Sequence, residues 1–439
     1  MRTSKTAPKK KSSKSKKNNL IDYGYIFSLI KISRKKSIYN QWDGIGSVPP
    51  GSLLEDILKG FSEIRNNGVP ATSIPLELPF LMFFHIAAAY LVYNNVKLIV
   101  DGQESYCDFS TVLLSKSGSG KTWTKNLFKK AFIDRLDDFV FELNPAGSAA
   151  FCQELEKHPK GLWVRDEVLQ FFQQVENPNS KLAEVYDYLL RIYDNENIER
   201  ITKKDKIIIK EPALCFLGMN VPETFIDGMT PTKLTDGFAQ RYGYMLAKDI
   251  NIKDIRYWKR VPDWHVDTTG WAEKWERMIK DIQPAYTISK EGIETYRKIF
   301  EELSRNTDVN ESFFRRIVWK LHKYALVYHI INFNANNPEI QSVSYLWAIR
   351  LIERQLADAY AIINLSGDGR LGKLIKRCEE VIQAMIINNE IPTARNLMQK
   401  VGSKYFNNIK EAEYLLKMLN NFDYNKAAEY SINTGQNRV

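Results

Sequence analysis

A chain of 439 residues is too long for one compact core and points to two or three domains. Its 44% hydrophobic and 12% aromatic content excludes a wholly disordered chain, and four scattered cysteines exclude a disulfide framework or a cysteine-spaced zinc site. The net charge of +10 is mostly local: residues 1–17 carry eight Lys/Arg and no acid, which leaves 10 − 8 = +2 for the remainder.

That basic stretch opens a tail, residues 1–19, with no apolar periodicity, and disorder is expected there. It can hold nucleic acid electrostatically, or act as a solubilising tail or an import signal. Polar residues follow the lysines, so the start does not read as a signal peptide, and the isolated cysteines fit a reducing, cytoplasmic setting. Residues 20–95 predict an N-terminal helical region, broken at Gly44–Ser52, where Ser52 caps a helix over "LLEDILKGFSEI". The most apolar run, Phe80–Tyr93, is 14 residues long and contains His85. It is short for a membrane span and reads as a buried core helix.

Between residues 96 and 250 the texture changes. The runs "VKLIV", "STVLL", "FVFEL", "GLWV", "KIIIK", "ALCFLG" and "YGYMLA" alternate with amphipathic stretches. That alternation predicts an α/β fold with a mostly parallel sheet covered by helices. Inside it, "TVLLSKSGSGKTWTKNLFKKA" (Thr111–Ala131) places a Gly/Ser/Lys turn between a strand and a helix. The turn is Ser115, Lys116, Ser117, Gly118, Ser119, Gly120, Lys121 and Thr122, and it fits the P-loop pattern of an NTPase core. Glycines let backbone N–H groups converge on phosphate oxygens at a helix N-terminus. Lys121 can neutralise the β and γ phosphates of ATP, and Thr122 can coordinate Mg²⁺. Ser115 departs from the pattern, which has glycine there; a serine can hold the turn if its φ stays negative. The alternative is a flexible surface loop.

Three later segments supply partners for such a cradle. "GLWVRDE" ends in Asp166, a candidate metal holder, and Glu167, a candidate base for the attacking water, although "DEVLQFF" also starts a helix. "ALCFLGMNVPETF" ends its strand at Asn220, which can sense a γ-phosphate or cap a helix. "DGFAQRYGYMLAKD" places Arg241 before a strand, where it can stabilise charge on a neighbouring subunit's phosphate or form a structural salt bridge. Arg315 and Arg316, at the head of a later helix, are weaker sensor candidates. The connection "ERITKKDK" offers Lys203, Lys204 and Lys206 to a strand's phosphates, or is a solvated hairpin.

Residues 251–365 predict a helical lid, including an amphipathic helix with Phe314, Ile317, Val318, Leu321, Ala325 and Tyr328 on its apolar face. Ser366–Arg370 reads as a linker. Residues 370–424 predict three helices in a helix-turn-helix or winged-helix layout, with Thr393 capping the second and Gly402 in the following turn. The third would offer Lys404, Asn407, Asn408 and Lys410 to DNA, or form a protein-binding module. Residues 425–439 are a polar tail.

The order of these segments, including "IKEPALCFLG", Gly237-Phe238-x-x-Arg241 and "KYALVYHI", resembles a family of P-loop ATPases. That family occurs in phages, plasmids and other mobile elements, often beside primase–polymerase modules, and is similar in style to superfamily-three helicases. The resemblance spans about Pro75 to Leu365. It implies an ATP-hydrolysing, Mg²⁺-dependent motor in DNA replication, a helicase-like ring built as a homo-oligomer, with a hexamer as one candidate. Single-stranded or forked DNA would be its track, and an arginine would act between subunits. Residues 20–95 show no primase carboxylates, so a primase would be a separate chain, and no membrane is implied. The alternative from another class is an ATP-switched adaptor or loader that binds DNA without unwinding it. A small-molecule kinase is disfavoured by the long lid and the basic tail.

Overall fold

The computed structural model describes residues 48–62, 72–132, 135–201, 206–229, 237–247, 265–305, 311–365 and 370–402, with scattered positions up to 416. The two tails, Lys203, Lys204, Lys404, Asn407, Asn408 and Lys410 lie outside the described residues. The chain divides into two units, the larger being Ser28–Leu374.

The larger unit begins with α1 (Leu53–Phe61), which starts at Ser52: the Ser52 hydroxyl accepts from Glu55 N–H at 3.1 Å. α2 (Glu77–Tyr93) is apolar on every side, which is the pattern of a helix surrounded by protein. Only Tyr90 and Tyr93 of its 17 residues are not buried. β1 (Lys97–Val100) and β2 (Gln103–Tyr106) follow as an antiparallel pair. Next come β3 (Ser110–Leu114), α3 (Lys121–Ala131), β4 (Val140–Phe141), α4 (Ser148–Lys157), β5 (Lys160–Arg165), α5 (Val168–Glu176) and α6 (Val185–Tyr193). A hairpin of β6 (Ile198–Ile201) and β7 (Lys206–Ile209) leads to β8 (Ala213–Asn220), α7 (Pro222–Gly228) and β9 (Tyr242–Leu246). The rest of the unit holds α8 (Trp271–Ile279), β10 (Ala285–Ile288), α9 (Lys290–Arg305), α10 (Glu311–Ile331), β11 (Glu339–Ile340) and α11 (Ser342–Leu365).

Five strands form an all-parallel sheet in the order β4-β5-β8-β3-β9. Every residue of β8 is buried, so both faces of the sheet are covered at its centre. α2 packs against β5 and β8. On the face carrying Trp163, Phe216 and Tyr242, the aromatic rings of Phe171 and Phe172 from α5 close the layer at 4.9–5.2 Å from Trp163 and Tyr242. Phe84 of α2 is the hub of the first layer. Its ring lies 5.6 Å from Phe109, 5.5 Å from Tyr324 and 5.5 Å from Trp347. Truncating one such buried ring to alanine costs about 3–5 kcal/mol, so this helix carries a large share of the unit's marginal stability.

Two of the seven apolar runs do not enter this sheet. "VKLIV" forms β1 in a second, mixed sheet of order β11-β10-β1-β2, and "KIIIK" forms β7 of the two-stranded hairpin. Both alternate between buried and more exposed positions, unlike β8, so one face of each is enough to bury. The 251–365 segment is therefore not purely helical, since β10 and β11 pair there, β10 with β1.

Polar clamps hold the helices to the sheet. Lys323 of α10 donates to the Asp108 carboxylate at 2.9 Å and to its carbonyl at 2.7 Å, just before β3, with both side chains buried. Arg354 of α11 reaches Glu77 at 3.5 Å and also pairs with Asp358, whose Oδ2 accepts from Leu246 N–H at 2.9 Å at the end of β9.

The second unit, described by itself, carries most of α12 (Arg370–Ile387) and all of α13 (Ala394–Val401). Thr393 caps α13, accepting from Asn396 N–H at 3.2 Å, and Gly402 follows at φ 112°. No helix among the described residues is long and apolar enough to cross a membrane.

His85 sits wholly inside the α2 packing, its Nδ1 2.8 Å from the Leu81 carbonyl oxygen and its ring edge-on to Phe109 at 4.7 Å. Burial pushes its imidazole down from 6.5 to about 3. The unfolded chain therefore takes up a proton near pH 6.5 that the folded chain refuses until about pH 3. The stabilisation from neutral His85 is complete above pH 6.5 and is lost as pH falls toward 3. That loss is on the order of a few kcal/mol. His85→Leu should flatten the fall of the urea midpoint between about pH 7 and pH 4; a slope parallel to the parent's would show that the ring is not sequestered.

Candidate functional site

Register sets the site. Leu114 of β3 stands opposite Asn220 of β8, and Gly218 of β8 stands opposite Arg165 of β5. Three strands thus end together at the carboxyl edge of the parallel sheet, where open sheets of this kind bind ligands. Ser115, Asn220 and the Asp166–Glu167 pair all leave the sheet at that edge. A cleft of about 460 Å³ lies there, lined by Asn220, the acidic pair and the turn that follows Ser115.

One wall is the glycine-rich turn, whose lining runs from Ser117 to Trp123. Gly118 and Gly120 have φ of 78° and 85°, the left-handed region that suits glycine. A Cβ at Gly120 would also stand 2.7 Å from Cγ1 of Ile74. α3 starts at Lys121 with no side-chain cap, which leaves its first N–H groups to the cleft. Ser115, where the pattern has glycine, does not need a left-handed backbone. It lies behind the lining, its Oγ 2.9 Å from Ser119 Oγ and its N–H donating to Asn220 O at 3.0 Å. Lys116 accepts Ser119 N–H on its carbonyl at 3.2 Å, closing the turn.

The facing wall is the acidic turn. Lys121 Nζ lies 3.6 Å from Asp166 Oδ1. Asp166 Oδ1 also accepts from Glu167 N–H at 3.0 Å, and Gln170 Nε2 donates to Glu167 Oε2 at 3.0 Å. Glu167 has φ 52° and ψ 46°, a conformation that costs a non-glycine residue of order 1–3 kcal/mol and clusters at functional sites. Gly218 makes the approach of this turn feasible: a Cβ there would meet Val168 Cγ2 at 2.9 Å. Arg165 fills its place in β5 by donating to Leu143 O at 2.8 Å and lying 4.5 Å over the Phe171 ring. Burial holds its guanidinium below the usual arginine range.

Asn220 is 5% exposed and joins the walls. Its Oδ1 accepts from Leu169 N–H at 3.2 Å, capping α5, while Nδ2 donates to Thr224 Oγ1 at 2.9 Å and Val221 O at 3.1 Å. The cap falls on the helix after the acidic pair, across the strands, rather than on the helix that follows Asn220 itself.

Thr122 and Asp166 both line the cleft, with oxygens suited to a hard cation. Magnesium takes one or two protein groups, phosphate oxygens and several waters, so the donor set fits it without a cluster of three acidic or histidine side chains.

The remaining candidates are elsewhere. Tyr242 is opposite Ser110, so Arg241 stands at the amino edge, roughly 16 Å along the strands from the cradle. Arg241 pairs with Asp194 at 3.2 Å, bonds Gly237 O and lies 5.2 Å over the Tyr193 ring. Arg316, following Arg315 on α10, donates to Gln240 Oε1 at 2.6 Å beside it. Lys206 pairs with Glu199 across the hairpin at 2.8 Å.

Trp123, Leu169, Gln170, Val221 and Thr224 also line the cleft and did not stand out in the sequence. For Gln170 the available signal was its i,i+3 spacing from Glu167 at the start of α5.

Asn220→Ala removes the acceptor for Leu169 N–H and should lower stability by about 1–2 kcal/mol in urea unfolding. Asn220→Asp keeps that acceptor and should lose less; equal losses would show that the Leu169 bond contributes nothing. Comparison with protein-family models and with curated proteins found no match to this chain.

Proposed function

We propose that this chain is a magnesium-dependent P-loop ATPase that acts on DNA as a helicase-like ring motor. One observation carries the reading: the cradle lysine Lys121 stands 3.6 Å from Asp166 across a cleft that Thr122, Glu167 and Asn220 also line. The paired lysine and aspartate are in place to be separated by a triphosphate, whose oxygens would take the lysine.

In this reading the N–H groups of the turn and Lys121 hold the β and γ phosphates, and Lys121 offsets charge that develops on the leaving oxygen. Magnesium, held by Thr122 and Asp166, would supply charge neutralisation at the phosphates. Glu167 orients a water and accepts its proton, with Gln170 steadying the carboxylate from the next turn. Asn220 fixes the spacing of the two walls through Leu169 and lies at the end of the strand between them.

The ring and the DNA are supported by different features. Arg241 and Arg316 stand at the edge opposite the cleft and cannot serve their own chain's nucleotide. In a head-to-tail assembly Arg241 would have to leave its pair with Asp194, where its side chain is 15% exposed, to reach a neighbour's cleft. The DNA reading rests on the resemblance of the segment order and on the eight Lys/Arg of residues 1–17.

Phosphate release from ATP tests the proposal. Lys121→Ala should abolish turnover through loss of binding. Glu167→Gln should lower turnover about 100-fold or more while nucleotide still binds, and single-stranded DNA should raise the parent's rate. Undiminished turnover in both variants would refute the ATPase assignment; a rate indifferent to every nucleic acid at low salt would refute the motor.

A further inference from the structure

Lys121 and Trp123 are two positions apart in the first turn of α3. At 3.6 residues per turn their side chains leave the helix about 200° apart. Lys121 points to Asp166 at 3.6 Å. Trp123 therefore stands on the flank of the helix away from the acidic turn, yet it lines the same cleft. Asp166 and Glu167 thus line the cleft on one flank of the helix N-terminus, and Trp123 lines it from the other.

The indole is braced from behind. Trp123 is partly buried against the core, and its ring meets Phe61 of α1 edge-on, 5.9 Å between centroids at 72°. An aromatic held this way has little rotamer entropy left to lose when a ligand packs on it. The acid end has the opposite character, with two carboxylates, Gln170 and Asn220 around it. A cleft of about 460 Å³ is within the range that holds a ligand of nucleotide size.

Polarity fixes the ligand's direction. The terminal phosphate belongs at the acidic turn, and the phosphate chain follows the N–H groups of the cradle. The nucleoside end is then delivered toward Trp123. We propose that Trp123 is the base-recognition surface of this cleft: the nucleobase packs on the indole, and its larger ring system makes a purine the preferred base. This rests on the reading of the cleft as a nucleotide site. Stacking on an aromatic face is tolerant of the base's edge groups, so ATP and GTP should bind alike, and both better than CTP or UTP.

Binding of ATP and of inorganic tripolyphosphate, each with magnesium, to the full chain separates the base contact from the cradle. Trp123→Ala should weaken ATP about tenfold or more, the scale of one lost stacking contact, with tripolyphosphate affinity unchanged. Trp123→Phe should restore most of the loss. The retained tripolyphosphate binding also shows that the variant is folded around an intact cradle. ATP affinity unmoved by Trp123→Ala, or ATP and tripolyphosphate weakened equally, would overturn the base contact while leaving the cradle standing. A parent chain that binds neither ligand would overturn the cleft reading and the base contact with it.

Discussion

The architecture depends on one strand. β8 is buried along all eight residues and lies in parallel register between β3 and β5, so it fixes how far the glycine-rich turn stands from the acidic turn. Two strand spacings give about 10 Å, wide enough for a phosphate chain and narrow enough for a lysine side chain to cross. Gly218 removes the side chain that would push α5 away, and Asn220 ties the start of α5 to the end of the strand. The same two residues therefore serve packing and spacing together. A strand whose job were only to fill the core would have no need of either.

The sheet has two edges with different chemistry. The carboxyl edge gathers backbone N–H groups, one lysine and two carboxylates; the amino edge gathers Arg241, Arg316, Asp194 and the buried Asp108–Lys323 pair. Removing one member of such a buried pair leaves an uncompensated charge and costs about 3–5 kcal/mol, so α10 is firmly seated on β3. Arg354 does the same for α11 at the end of β9. The clamps hold both edges in one rigid layer.

Much of the site was legible because its residues lie in short local patterns. Gly120-Lys121-Thr122 after an apolar strand, and Asp166-Glu167 after another, are each recognisable within a few residues. The caps at Ser52 and Thr393 and the α2 run without a polar face are local too. The misplaced strands were not legible, because "KIIIK" and "VKLIV" look like sheet-core runs, and only tertiary pairing decides that β7 closes a hairpin and β1 joins β10. β10 and β11, of four and two residues, were hidden among helices for the same reason. Asn220 was found as a strand-end residue, but its bond to Leu169, 51 positions away, belongs to the fold and leaves no mark in the neighbouring sequence. Trp123 reads as an ordinary helix aromatic until Lys121 is seen to face the acids.

The central claim is that the turn at Lys121 and the acidic pair hold one triphosphate between them. A crystal structure with magnesium and a slowly hydrolysed ATP analogue tests it most directly. The account predicts the γ-phosphate at Lys121 Nζ, the ion between Thr122 and Asp166, and a water beside Glu167. A nucleotide bound elsewhere, or a Lys121–Asp166 pair still closed with the analogue present, would contradict it.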